Sequence, residues 1–360
     1  MTPGPTRVPE RVLIAASRPM IHHRTPEFSR DLAESVELLK PVFGTAGKPM
    51  PVHTTGRGAL EATICNVFSP DDSIAVCCNG KFGEMWAGFA ASYGLRVHRF
   101  STKWLSTANA DELDALLDAH REIRAVAVAY GDTSTGVEND VRTIASVARA
   151  HGAMVLVDGV SSIGGMPFAF DEWGIDVAIT ASQKCLMSGP GLAWAALSDR
   201  AWHAVAHSRL PRNYWNFADI RTAISKPKPE TPGTTPVQLV LQVAEALRMI
   251  HEEGIDAVYA RHAEMACRMR DGVGELGLSL QCPDLAAYSA TLTAVALPSE
   301  IEPKTFRDHI KAQGILTAAG LGKFESTGFR IGHMGDIRLP DVERTLIAIG
   351  NALRASKVTT

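Results

Sequence analysis

Lys184 lies in a stretch of sequence that can place a lysine beside a bound ligand. It follows the apolar run 177–181, which predicts a buried strand, and it precedes the glycine- and proline-rich segment 188–191. A lysine at such a point loses hydration, which lowers the pKa of its amine and lets the neutral form attack a carbonyl carbon. A single lysine is more often a solvated surface residue, so this interpretation depends on the residues that accompany it.

Asp158 ends a second apolar run, 155–157, and a glycine follows it. In open α/β sheets, ligands bind at the carboxyl ends of the strands, where this carboxylate would lie. An aspartate there can hold a cationic ring nitrogen. Equally, it can cap the turn that follows, as aspartates at strand ends often do.

The segment 54–58, Thr-Thr-Gly-Arg-Gly, opens a predicted helix over residues 59–68. Free backbone N–H groups and the helix dipole point to the same place at such a start, so the segment can hold a phosphate. Threonine and glycine before a helix are also common as simple caps. The segment therefore indicates an anion site only in combination with the other motifs.

Apolar runs alternate with helical stretches between residues 59 and 198, a pattern typical of an α/β sheet. Most runs lack polar alternation, as expected for strands that are buried on both faces. The proline-dense stretch 226–236 leads into a second part, where Thr235 can cap a helix that runs from Pro236 to residue 253. The predicted strands are 74–78, 95–100, 125–130, 154–158, 177–181 and 192–197, with a helix over 140–150; the later elements are helices 257–276, 303–313 and 339–353 and segments 290–297 and 328–334.

Taken together and in this order, the motifs resemble those of class-V aminotransferases of pyridoxal 5'-phosphate (PLP) fold type I, in the branch of alanine–glyoxylate, serine–pyruvate and serine–glyoxylate aminotransferases. The resemblance covers essentially the whole chain, and the combination is specific although each motif alone is weak. It implies an α/β fold with a large, mostly parallel seven-stranded sheet domain and a smaller C-terminal α+β domain. The expected division is an N-terminal segment (1–25), a large domain (26–254) and a small domain (255–360). The motifs are Pro3-Gly4-Pro5, Gly56-Arg57-Gly58-Ala59-Leu60-Glu61-Ala62, Asn79-Gly80-Lys81-Phe82-Gly83, Asp132-Thr133-Ser134-Thr135-Gly136, Val157-Asp158, Ser182-Gln183-Lys184 and Arg330-Ile331-Gly332.

The resemblance also implies a role for each matching residue. Lys184 would carry PLP as a Schiff base and transfer protons, and Asp158 would pair with the protonated pyridine nitrogen. Arg330 would bind the substrate carboxylate, for which its planar guanidinium is suited. The other implied cofactor contacts are Thr55, Gly56 and Arg57 at the phosphate, Gln183 beside the lysine, Thr133 near the phenolic oxygen, and Phe82 and Val160 on the two ring faces.

Thr234 matches a residue that reaches the phosphate bound by the other subunit, which implies a homodimer with shared active sites. Two positions depart from the family. Phe82 stands where several relatives have tryptophan, and Thr231 stands where some have tyrosine, so the phosphate contacts of that loop are changed. Three of these residues also have structural explanations that need no cofactor. Phe82 can be an ordinary core aromatic residue, and Thr133 and Thr234 can be turn residues whose hydroxyls bond the backbone.

The composition favours small molecules as ligands. The net charge is −3 and no basic patch with interleaved aromatic residues occurs, which argues against nucleic acid as a partner. No run approaches the roughly 18 apolar residues of a membrane span, and the N-terminus lacks a signal-peptide core, so a cytoplasmic protein without a membrane partner is expected.

The six cysteines form no zinc-type spacing, so buried, reduced thiols and no metal are predicted. The triplet His22-His23-Arg24 is predicted to pack against the partner subunit.

These expectations describe an aminotransferase with a ping-pong cycle that moves the amino group of alanine or serine to glyoxylate or pyruvate. Ureidoglycine, aminoethylphosphonate and aspartate are alternative donors. A lyase of the same fold, such as a cysteine desulfurase, is disfavoured because Gln183 stands where desulfurases have histidine and because no cysteine follows Cys282. A non-catalytic PLP-binding protein is disfavoured because the chain retains Lys184, Asp158 and Arg330 together.

Overall fold

A seven-stranded sheet forms the centre of the larger part of the protein. The computed structural model describes residues 1–284 and 287–358. Its strands are β1 (Met50–Val52), β2 (Ser73–Cys77), β3 (Arg96–Phe100), β4 (Ile123–Ala129), β5 (Gly131–Asp132), β6 (Val137–Glu138), β7 (Met154–Asp158), β8 (Val177–Ala181), β9 (Ala193–Leu197), β10 (Ser279–Leu280), β11 (Leu292–Ala296), β12 (Ala318–Ala319) and β13 (Gly328–Gly332). The large sheet has the order β1-β9-β8-β7-β4-β2-β3, and β9 runs antiparallel to both of its neighbours. All six strands predicted for this region are confirmed, with ends that agree within two residues.

Helices cover both faces of this sheet. The helices of the protein are α1 (Glu10–Ala16), α2 (Pro26–Phe43), α3 (Gly56–Val67), α4 (Lys81–Ser92), α5 (Ala110–Ala119), α6 (Val141–Ala150), α7 (Phe170–Trp173), α8 (Asp199–His207), α9 (Phe217–Ile224), α10 (Val237–Glu253), α11 (Ile255–Glu275), α12 (Pro303–Lys311) and α13 (Leu339–Val358). Val155 and Val157 of β7 pack with α1, α2, α5, α6 and α10, whereas Leu156 between them packs with α3, α4, α8 and α9. Because successive side chains of a strand point to opposite faces, both faces of β7 must be apolar, which explains its unbroken hydrophobic run.

A second, antiparallel sheet lies in the C-terminal part, with the order β10-β11-β13-β12. Phe329 and Ile331 of β13 pack with apolar residues of α11, α12 and α13 in a separate core. Arg330 lies between these two residues in the strand, so its side chain points to the other face of the small sheet. The α+β character expected for this part of the chain is therefore observed.

The start of α10 differs from the prediction. Thr235 does not cap the helix: its hydroxyl is 2.8 Å from Nε2 of His53. Pro236 occupies the N-cap position instead, and its carbonyl accepts from the backbone N–H of Leu239 at 2.9 Å. The predicted cap is wrong because the hydroxyl is used in a contact between residues distant in sequence.

The cysteines agree with the prediction except at one position. All six are free, and five are buried, but Cys267 is exposed. In the described ranges, no helix combines the length and the apolar character that a membrane crossing requires.

Candidate active site

Lys184 and Asp158 follow neighbouring parallel strands at the same edge of the large sheet. Asp158 is the last residue of β7, and Lys184 lies three residues beyond the end of β8. The charge of each residue affects the pKa of the other, so the two side chains face a common space. This is the edge of an open α/β sheet at which ligands bind.

The amine of Lys184 is held against the N-terminal segment. Its Nζ donates a hydrogen bond to the carbonyl of Pro3. A Cβ added to Gly4 would lie 2.7 Å from this Nζ, and Gly4 has a φ of +114°, so a glycine is needed for the close approach. Thr6 continues the contact, because its hydroxyl lies 3.2 Å from the carbonyl oxygen of Lys184. The motif Pro3-Gly4-Pro5 is visible in the sequence, but its contact with Lys184 is not predicted from it.

The two reactive groups have pKa values that burial has moved in opposite directions. Burial lowers the pKa of Lys184 to about 8, because an ammonium group loses hydration there, and the charge of Arg330 adds to the effect. Burial raises the pKa of Asp158 to about 6, and the charge of Asp132 adds to that shift. A cationic ligand beside Asp158 would be stabilised by its carboxylate and would lower this pKa again.

Asp158 is oriented by the chain that follows it. Its Oδ1 accepts a hydrogen bond from the backbone N–H of Val160 at 2.9 Å. Val160 in turn contacts the start of α3, since a Cβ added to Gly56 would lie 2.7 Å from Cγ2 of Val160. Gly56 therefore lets the helix start approach the strand end, which brings two predicted cofactor contacts together.

The start of α3 has the features of an anion site. Thr55 is the N-cap and makes no side-chain capping bond, and both Thr55 and Arg57 are exposed. The first N–H groups of a helix have no intrahelical acceptor, so they are free to bind a ligand. The guanidinium of Arg57 lies 5.7 Å from the ring centre of Phe89, which places a positive charge near this helix start.

Gln183 carries a buried polar atom that a ligand could satisfy. Its side-chain Oε1 has no hydrogen-bond partner within the described part of the chain. The carbonyl of Gln183 accepts from the backbone N–H of Thr6 at 3.0 Å, so its main chain is fixed while its amide is not. Oxygen and nitrogen of an amide exchange places on a simple flip, so this group can also donate.

Asp132 organises the loop after β4, a role that is not among the predictions from the sequence. Its buried carboxylate accepts from the backbone N–H of Phe82 at 3.0 Å and from that of Ser134 at 2.8 Å. These bonds fix the start of α4, where Phe82 lies half-buried. Burial raises the pKa of Asp132, and the hydrogen bonds oppose that shift. The strand-end position of Asp132 was the available signal, as it was for Asp158.

Arg330 reaches the same region from the small sheet. Its Nε donates to the carbonyl of Ala319 at 2.8 Å and its Nη1 donates to the carbonyl of Thr133 at 3.0 Å. In the described residues these bonds leave Nη2 without a partner, so the outer edge of the guanidinium can bind a carboxylate. The hydroxyl of Thr133 donates to Ser161 at 3.0 Å.

Thr234 lies apart from these contacts. It is exposed and lines a cavity of about 260 Å³ together with His53, Tyr214 and Trp215. Arg24 holds the preceding part of this loop, since its Nη1 donates to the carbonyl of Thr231 at 2.8 Å. Of the triplet His22-His23-Arg24, the arginine thus contacts a loop of its own chain.

Comparison with known proteins finds relatives that extend over nearly the whole chain. The profile of the family described as Aminotransferase class-V matches residues 6–331. A soluble hydrogenase small subunit from Synechococcus sp. is 38% identical, over 99% of this chain and 91% of its own length. An L-aspartate–glyoxylate aminotransferase from Paracoccus denitrificans is 36% identical, over 93% of this chain and 86% of its own length. The crystal structure of an alanine–glyoxylate aminotransferase from Nostoc sp. matches with a TM-score of 0.93 and 29% identity, covering 98% of this chain and 94% of that one.

The fold is that of PLP fold type I aminotransferases, and the site brings together an amine of lowered pKa, a buried carboxylate and an arginine. Such groups can exchange protons with a substrate and hold its carboxylate. The match of the family profile extends over both parts of the chain, from the N-terminal segment that contacts Lys184 to the strand that carries Arg330. The chain belongs to the class-V aminotransferase family.

Proposed function

We propose that this aminotransferase uses PLP to move the amino group of alanine or serine to glyoxylate or pyruvate in a ping-pong cycle. The single observation that carries the proposal is the pair of neighbouring strand ends with Lys184 and Asp158, whose pKa values burial has moved in opposite directions. The lowered pKa of Lys184 favours the neutral amine that the reaction needs, and the carboxylate of Asp158 lies where it can pair with a cationic ring.

Three features of the site fit PLP. The carboxylate of Asp158 is buried and can stabilise a protonated ring nitrogen. The start of α3 offers unpaired N–H groups, and Gly56 keeps this cradle open where a side chain would collide with Val160. The side-chain amide of Gln183 has no partner for its Oε1 within the described residues, and in the flipped orientation its NH₂ group could donate to a phosphate.

We assign the cofactor contacts accordingly. Lys184 would bind the cofactor covalently, Asp158 its ring nitrogen, and Val160 and Phe82 its two ring faces. The phosphate would lie on Thr55, Gly56, Arg57 and Gln183, and Thr133 would lie near the phenolic oxygen. When bound, PLP supplies a ring that accepts the electrons left on the substrate when a proton is removed from its α-carbon.

The residues of the chain then have distinct tasks. The Nζ of Lys184 is neutral above a pH of about 8. It takes the proton from the α-carbon of the substrate and returns it to the carbon on the other side of the transferred nitrogen. Asp158 stays anionic and keeps its partner protonated. Arg330 binds the α-carboxylate, and its bonds to Ala319 and Thr133 hold the guanidinium in one orientation.

The choice of glyoxylate as acceptor is supported by the relatives. The aminotransferases from Paracoccus denitrificans and Nostoc sp. both have glyoxylate in their names, whereas their donors differ. Aspartate is the main alternative donor, because the Paracoccus denitrificans relative, which is 36% identical, is named for it. We propose alanine and serine as donors over aspartate because the sequence around Arg330 carries no further cluster of basic residues that would bind a second carboxylate.

A donor panel tests the proposal. The PLP-loaded enzyme is mixed with alanine, serine, aspartate, ureidoglycine or aminoethylphosphonate and an acceptor, and the amino acid formed is measured. Each donor is paired with glyoxylate and with pyruvate, except that alanine is paired with glyoxylate alone, because alanine and pyruvate would only regenerate each other. We expect alanine or serine with glyoxylate to give the highest kcat/KM. A large preference for aspartate would overturn the donor assignment alone, and no transfer from any donor would overturn the proposed activity.

We further propose a cytoplasmic homodimer in which Thr234 contributes to the partner's phosphate site, with domains at 26–254 and 255–360 after an N-terminal segment, 1–25. The exposed position of Thr234 beside a cavity supports a contact with a second chain. Mixing Lys184→Ala chains with Thr234→Trp chains tests the sharing, since one site of each mixed dimer would carry neither defect. Activity should return on mixing, and heterodimers without activity would contradict a shared site.

A further inference from the structure

Three metal-ligand side chains converge at the edge of the large sheet. They are His98 on the edge strand β3, His120 just after α5, and Glu122 in the turn before β4. One ligand atom from each lies within 4.8 Å of the other two. The prediction of no metal rests on the spacing of the cysteines and does not consider these histidines, which are separated in sequence by a whole helix.

The distances are close to those of a coordinated ion. Oε1 of Glu122 is 3.3 Å from Nδ1 of His120 and 3.8 Å from Nε2 of His98. A tetrahedral Zn²⁺ with bonds of about 2.0–2.1 Å holds neighbouring ligand atoms roughly 3.3–3.4 Å apart. Small rotations of the side chains would therefore bring all three atoms into a coordination sphere, with the fourth position left to water.

The backbone on both sides of the cluster is fixed. His98 pairs with Ala75 of β2, and Ile123, next to Glu122, pairs with Ser73 of the same strand. The backbone N–H of Ile123 also donates to the carbonyl of His120 at 3.1 Å. The three ligands are thus carried by elements that share β2 as a common support, which reduces the entropy lost when an ion binds.

Two arginines that are close in sequence to members of the cluster have other partners in the described structure. Arg121 pairs with Asp118, and Arg96 donates through Nη2 to the carbonyl of Asp71 at 2.7 Å. The groups that face the carboxylate are the two imidazoles, whose ring centres lie 4.3 Å apart. Imidazole nitrogens select zinc and similar transition metals over magnesium and calcium, which prefer oxygen ligands.

We propose that His98, His120 and Glu122 form a structural binding site for a divalent transition metal, with Zn²⁺ as the representative ion. The site ties the edge strand β3 to the turn between α5 and β4. An ion bound there stabilises the folded chain, because unfolding separates the ligands. This inference is independent of the amino-transfer reaction.

The test uses the PLP-loaded full chain after treatment with a chelator. Zn²⁺ binding is measured by calorimetry, and the visible absorption of Co²⁺ reports a tetrahedral site. We expect one strong site per chain and a melting temperature that rises with Zn²⁺. His98→Gln and Glu122→Gln should each weaken the binding by more than about tenfold and remove the thermal shift, since even outer-shell changes at metal sites cost that much.

His203→Gln is the matched control, because His203 and His207 form an exposed pair with ring centres 4.2 Å apart that offers only two ligands. This variant should keep the strong site. Melting temperatures in chelator and activity without metal establish that each variant folds. The proposal is overturned if the parent binds Zn²⁺ more weakly than about 0.1 mM, if His98→Gln and Glu122→Gln bind as the parent does, or if His203→Gln removes the strong site.

Discussion

The carbonyl of Thr133 accepts a hydrogen bond of 3.0 Å from Nη1 of Arg330. Thr133 belongs to the loop after β4 in the large sheet, whereas Arg330 belongs to β13 in the small one. Because Thr133 lies in the turn between β5 and β6, the bond joins this turn to the small sheet at the candidate site. The orientation of the carboxylate-binding group therefore depends on the position of the cofactor-binding loop.

Replacing Arg330 with lysine should raise KM for every carboxylate substrate together. A lysine cannot bond both backbone carbonyls and still present two parallel donors to a carboxylate. The loss of transition-state binding should be about 2 to 4 kcal/mol, a reduction of roughly thirty- to a thousand-fold in kcat/KM. Steady-state kinetics with each donor and acceptor measure it. An unchanged KM for all of them would remove Arg330 from the substrate site.

Asp158→Asn should bind PLP but turn over slowly. The amide keeps the shape of the side chain and removes the charge that favours a protonated ring nitrogen. The expected result is a large fall in kcat with the absorbance of bound cofactor retained. Near-parental kcat in a cofactor-saturated variant would mean that another group serves the ring nitrogen.

Gly56→Ala should weaken cofactor binding because the added Cβ would lie 2.7 Å from Cγ2 of Val160. The double variant Gly56→Ala with Val160→Ala relieves this contact and should recover part of the affinity. Gly88→Ala is the control: Gly88 lies inside α4 with no atom within 4 Å of an added Cβ, so helix propensity alone should stabilise the fold by up to about 1 kcal/mol. Titration of the apoenzyme with PLP measures the affinities. Equal affinity of parent and Gly56→Ala would contradict the proposed cradle.

The sequence located the strands and the strand-end residues because these depend on local periodicity. Asp158 and Lys184 are marked in this way, and the same signal marks Asp132, which follows the predicted strand 125–130 by two residues. The contact of Lys184 with Pro3 was not predictable, since it joins residues that are 181 positions apart in the chain. The prediction that Thr235 caps α10 was wrong for the same reason, because its hydroxyl contacts His53, a residue distant in sequence.

The rate at which the apoenzyme captures PLP should depend on pH with a midpoint near 8. Burial lowers the pKa of Lys184 to about 8, so the protonated, unreactive amine prevails below that pH and the neutral nucleophile prevails above it. The rate should therefore rise as the pH increases through this value, whereas an ordinary lysine would require a pH above about 10. Stopped-flow absorbance at a series of pH values measures it. A midpoint near 10 would show that the amine is not desolvated.

The most direct test of the account is a single half-reaction of Lys184→Ala compared with the parent. Each PLP-saturated protein is mixed with alanine or serine in the absence of an acceptor, and the 2-oxo acid released is measured over time. The parent should release one equivalent per site within seconds to minutes, and Lys184→Ala, folded and with cofactor bound, should release essentially none. Release by the variant at the parental rate would contradict the assignment of Lys184 as the group that moves the proton.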